Sequence, residues 1–123
     1  LGLFDPAGRL VLANRRLNEI FDLAPDAVPA GTTFQELFNH IAAASGGSPL
    51  EAARIHQRHR ALIAARDGRV VVEELSAERT IAITHRPVAD GSFVSTFEDI
   101  SERRRSEQKI AHMARHDALT GLP

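Results

Sequence analysis

The chain has 123 residues, 43% of them hydrophobic and 25% charged, with a formal net charge of −1. That length suits one domain with an ordinary apolar core, and the near-neutral balance removes any net attraction to nucleic acid or to an anionic membrane surface. No cysteine is present, which excludes disulfides, thiolate metal sites and a cysteine nucleophile, and no run approaches the ~20 apolar residues of a membrane span.

Leu1 to Phe4 and Arg9 to Ala13 read as two strands joined by Asp5-Pro6-Ala7-Gly8, a hairpin whose Pro and Gly supply the turn. Asn14 suits the N-cap of a helix from Arg15 to about Leu23, with Leu17, Ile20 and Phe21 on its apolar face, until Pro25 and Pro29 stop it. Thr32 or Thr33 caps the next helix, Phe34 to Ala44, whose inward stripe is Phe34, Leu37, Phe38 and Ile41. After Gly46-Gly47-Ser48-Pro49 a longer helix runs from Leu50 to Arg66, with Ile55, His59, Leu62 and Ile63 on one face and four arginines around the rest. Asp67-Gly68 closes it. Val70 to Leu75, Arg79 to Val88 and Ser92 to Ile100 then read as three successive strands with short turns. Strands, then helices, then strands argue an α+β domain built on an antiparallel sheet with helices on one face.

Parity along the last two strands puts Ile81, Ile83 and His85 on one face, and Phe93, Ser95 and Phe97 on one face of the neighbouring strand. With Phe38 and His59 these residues are the candidate lining of a site for a small apolar ligand, with His85 as its polar handle. A core simply filled by the same side chains is the plainer reading. His59 lies between Gln57, Arg58 and Arg60, a context in which a histidine usually stands at the surface or on a rim.

Ser101 is positioned to cap a charged C-terminal linker helix, with Glu102 in its first turn and Arg104 where a capping box would place Glu or Gln. Along it Arg103, Ser106, Ile110, Met113 and Asp117 recur at spacings of 3, 4, 3 and 4, a short and rather polar coiled-coil seam. Glu102 and Glu107 interrupt Arg103-Arg104-Arg105, which falls short of a nucleic-acid or lipid patch. His112 and His116 are one turn apart with no third ligand beside them, so no metal site is assigned. There is no nucleophile-base order, phosphate-cradling glycine loop or paired carboxylate in an obvious cleft, and the chain is not expected to be an enzyme.

Three stretches carry a family resemblance. Asp99-Ile100-Ser101 followed by Glu-Arg-Arg resembles the Asp-Ile-Thr/Ser ending of PAS sensor domains, and the run from Phe4 to Phe21 resembles their opening. His116 to Pro123, HDALTGLP, resembles the start of a GGDEF diguanylate cyclase domain, and the two joined by a helix are the arrangement of bacterial PAS-GGDEF signalling proteins. The resemblance implies a PAS domain over residues 1–100 lacking its N-terminal cap, a signalling helix over 101–116, and the start of a truncated GGDEF domain over 117–123. It implies a five-stranded sheet in the order 2-1-5-4-3, departing from the family only in lacking a glycine near Ser76 to Glu78.

The same resemblance implies a cytoplasmic signal-input and dimerisation module, with an upstream membrane anchor left open. It would act as a homodimer on a GGDEF domain in cis, which condenses two GTP into cyclic di-GMP, in a parent that is a diguanylate cyclase or a GGDEF-EAL protein. Asp99, paired with Arg103 or Arg104, and Ser101 would couple sheet to helix. Haem-binding relatives place a proximal His on the long helix, where His56 and His59 stand, but no cofactor is evident, and without cysteine no flavin adduct of the light-sensing relatives can form. The rival readings are a receptor for an apolar small molecule and a ligand-free protein-protein interaction module.

Overall fold

The computed structural model describes the backbone of residues 1–120 and the side chains of residues 1–111. The first hairpin pairs β1 (Gly2–Phe4) with β2 (Leu10–Ala13). Its turn is held by the Asp5 carboxylate, which accepts the backbone N–H groups of Ala7 and Arg9 at 3.0 and 2.9 Å, and Gly8 takes a φ of 81° that favours glycine.

Helix α1 (Arg15–Ile20) stops short of the expected end at Leu23, because Asp22 turns into the left-handed region at a φ of 54°. Asn14 has the extended backbone of an N-cap, but its side chain makes no capping bond. Helix α2 (Phe34–Ala44) keeps its expected bounds and is capped by the Thr33 hydroxyl, which accepts the Glu36 N–H. Helix α3 (Pro49–Ala64) starts behind Ser48, whose hydroxyl accepts the Glu51 N–H, and Pro49 occupies the first turn, where a missing N–H costs nothing.

The second half supplies β3 (Val71–Ser76), β4 (Arg79–Pro87) and β5 (Phe93–Asp99), followed by α4 (Ser101–Thr120). The five strands form one antiparallel sheet in the order β2-β1-β5-β4-β3, the order that the resemblance implies. Where the family turn has a glycine, β3 shifts register between Glu74 and Ser76, and that irregularity supplies the bend. The expected residues 117–123 of a further domain fall outside the residues whose side chains are described, and so do His112, Met113 and His116.

Helices α1, α2 and α3 close one face of the sheet over a core containing Leu17, Phe21, Leu37, Ile41, Ile81 and Ile83. Burial of each such side chain stabilises the fold by roughly 1.5–3 kcal/mol. At the β1 end the core is aromatic. The rings of Phe4 and Phe93 stack at 5.1 Å, and Phe34 meets them edge-on at 5.2 and 5.6 Å, the geometries that ring quadrupoles favour. At the β3 end it turns polar.

Candidate functional site

The strand register sets Ile83 opposite Phe97 and His85 opposite Ser95, so the expected parity holds and all four side chains point under the helices. On α3 the inward phase brings His59 over β3 and β4, while Ile55, Leu62 and Ile63 of the same face are only half-buried. The expectation that His59 stands on a rim is therefore corrected: it is 0% exposed and stacks on Phe38 at 5.3 Å. The physical reason is that β3 and β4 present hydrogen-bonding partners at its depth.

Those partners form a line. The Ser95 hydroxyl lies 2.7 Å from His85 Nδ1, His85 Nε2 lies 2.7 Å from His59 Nδ1, and His59 Nε2 lies 3.0 Å from Glu73 Oε1. Arg58 at the surface closes the line, with Nη1 2.7 Å from both Glu73 oxygens. With one proton on each imidazole every polar atom is satisfied in one direction: Ser95 donates to His85, His85 to His59, and His59 to the Glu73 carboxylate. Burial, with His59 adding to it, pushes the His85 imidazole down to about 3, so it stays neutral. Burial alone would raise the Glu73 carboxyl, but hydrogen bonds from His59 and Arg58 outweigh that and hold it below the usual carboxylate range.

The eight candidate ligand residues thus come together, but against one another. Phe38, Ile81, Ile83, Phe93 and Phe97 belong to the hydrophobic core, while His59, His85 and Ser95 belong to the buried line. Both nitrogens of His59 are engaged, so it does not fit a haem ligand. The line does not converge on a point, and among the described residues no three His, Cys, Asp or Glu are placed to hold a metal. Sequence reasoning missed Glu73 and its clamp, Arg58. Alternation could have found Glu73, since it shares strand parity with the half-buried Val71 and Leu75.

The junction to α4 also differs in detail from expectation. Ser101 is the first helical residue, not the cap, and its hydroxyl accepts the Thr80 N–H of β4 at 2.8 Å. Asp99 does the capping, accepting the Ser101 N–H at 2.9 Å. The expected pairing of Asp99 with Arg103 or Arg104 is corrected. Arg79 of β4 stands 3.4 Å from the Asp99 carboxylate, while Arg104 reaches across to Glu74 of β3 at 3.3 Å. Arg103 is exposed, and Arg105 donates to the Glu78 carbonyl at 3.2 Å. A carboxylate folded back to cap the helix faces β4, and the helix carries its arginines past it toward β3. Burial would raise the Asp99 carboxyl, but hydrogen bonds from Ser101 and the nearby charges of Arg79 and Arg105 hold it below its ordinary value.

The family described as "PAS fold" matches residues 1–108. An uncharacterized protein of Sinorhizobium fredii, y4lL, is 52% identical over a 48-residue alignment that spans 31% of this chain and 6% of that protein. The chain therefore covers a small part of the length of the curated relative it matches. No solved structure matches the chain. Among the described residues no helix is long and apolar enough to cross a membrane.

Proposed function

The chain belongs to the PAS-fold family, and from that premise we propose that it is a signal-input and dimerisation module that controls a C-terminal GGDEF diguanylate cyclase domain through α4. The observation that carries this reading is the way α4 is fastened to the sheet. Its first residue is bonded to the β4 backbone through Ser101 and Thr80, and Arg104 and Arg105 tie the next turn to Glu74 and Glu78 at the β3–β4 end. A change in strand position is transmitted to the helix without a slack linker between them. The run HDALTGLP supports a cyclase beyond the helix.

Output would depend on how two α4 helices pack in a homodimer. Ile110 on the seam is 67% exposed in the single chain, as a residue awaiting a partner helix would be. In the full-length parent, inserting seven residues between Arg104 and Ala111 keeps the coiled-coil phase and preserves regulation. Inserting four breaks the phase and locks cyclic di-GMP output on or off. Output indifferent to phase would make α4 a tether and end this reading.

A further inference from the structure

A cleft of about 470 Å³ opens between the β1–β2 turn, the start of α2 and the second half of α3. It is separate from the buried line of Ser95, His85, His59 and Glu73, none of which lines it. Its base is apolar, formed by the rings of Phe34 and Phe93 and by Ile63, and its rim carries Gln35, His56 and Arg60. No Asp or Glu lines it. The volume lies in the range of about 300–1,000 Å³ typical of small-molecule sites, and an apolar base with a few polar groups is their usual composition.

The rim charge is unbalanced. Arg58, two residues away on α3, is neutralised by Glu73, whereas Arg60 has no carboxylate partner among the described residues. His56 is half-buried, 5.8 Å from the Phe34 ring. Burial, with Arg60 and His59 adding to it, holds its imidazole below the ordinary value, so it offers a neutral hydrogen-bonding group and no second charge. One fixed positive charge beside two edge-to-face rings matches a ligand with one negative charge and an aromatic body. A guanidinium fork suits a carboxylate in particular, and a ring at 4.5–7 Å from the phenylalanines gains the aromatic term. A dianion would leave one charge without a counterpart above an apolar base.

We propose that this cleft binds a small aromatic monocarboxylate, with its ring against Phe34 and Phe93, its carboxylate on the Arg60 guanidinium and one further hydrogen bond from His56. This goes beyond the signalling role proposed above and holds whatever domain follows α4.

The test is calorimetric titration of the purified chain with 2-naphthoate, with 2-naphthamide as the uncharged control and 2-naphthyl phosphate as the dianion. Saturable binding of 2-naphthoate is expected, with the amide and the phosphate each weaker by about tenfold or more, the scale of one charge-assisted hydrogen bond. Arg60→Met keeps the side-chain stem and should weaken 2-naphthoate by about the same factor without moving Tm. Gln35→Trp, at an exposed position of α2, should block the cleft. Arg54→Met, an exposed arginine of α3 that does not line the cleft, should change nothing. No binding of 2-naphthoate at millimolar concentration, equal affinity for acid and amide, tighter binding of the phosphate, or an Arg60→Met protein of unchanged affinity would each overturn the proposal.

Discussion

His56 and His59 stand three residues apart on α3, each against a phenylalanine ring of α2, and they have opposite fates. His59 is sealed, stacked on Phe38 and bonded at both ring nitrogens. His56 lies 5.8 Å from Phe34, is half-buried and makes no hydrogen bond within the described residues. Three residues of helix leave the two side chains about 60° apart around the axis. That angle carries His59 over β3 and β4, where Glu73 and His85 meet it, and leaves His56 over the cleft beside the β1–β2 turn. A histidine becomes structural when neighbouring strands present partners at its own depth, and stays available when they do not.

The largest expected effect follows from removing the sealed ring. His59→Ala leaves a cavity and strips the Glu73 carboxylate and His85 of one buried hydrogen-bond partner each, so a loss of about 3–5 kcal/mol is expected. His56→Ala removes a half-buried ring with no bonds and should stay within about 0.5 kcal/mol. Chemical denaturation of both variants checks this, and equal midpoints would erase the contrast between the two positions.

The next effect is on pH. His85 takes up a proton at its ordinary value of 6.5 when unfolded but only near 3 when folded, so the unfolded chain binds more protons between those values. Stability contributed by the neutral ring is complete above pH 6.5 and is lost as pH falls, by about 2 kcal/mol at pH 5. Glu73, whose carboxyl is held low in the folded state, adds a loss of the same sign in more acidic solution. Denaturation midpoints measured from pH 7 to 5 should fall steadily in the native chain. In His85→Gln most of that slope should disappear, and a native chain with a flat profile would mean that the line is not buried and neutral as described.

Much of this fold could be read from local pattern. The inward residues of α1 and α2 and the parity of β4 and β5 follow from periods of 3.6 and 2, which a single element carries within itself, and the cap at Thr33 from a residue type that favours helix starts. The pairings between elements could not be read in the same way. Glu73 occupies an inward position that alternation assigns to an apolar residue, and only the spatial arrival of His59 and Arg58 makes a charge tolerable there. Likewise Asp99 was legible as a junction residue from its motif. Whether its partner is Arg79, Arg103 or Arg104 depends on the path of α4 past the strand edge, which no periodicity encodes.

The smallest effect separates satisfied from merely adjacent groups at that junction. Ser101 is 7% exposed and its hydroxyl is the acceptor for the half-buried Thr80 amide, so Ser101→Ala leaves a half-buried donor unpaired at a cost of about 1–2 kcal/mol. Arg104 and Glu74 meet at 3.3 Å with side chains 35% and 69% exposed, and solvent screening limits that pair to about 0–0.5 kcal/mol. Hydrogen exchange at the Thr80 amide distinguishes the two. It should accelerate in Ser101→Ala and stay unchanged in Arg104→Ala, because only the first substitution removes the acceptor that protects it. Acceleration in both variants would mean that the arginine, as well as the hydroxyl, holds the first turn of α4 against β4, and coupling between sheet and helix would then be partly electrostatic and sensitive to salt.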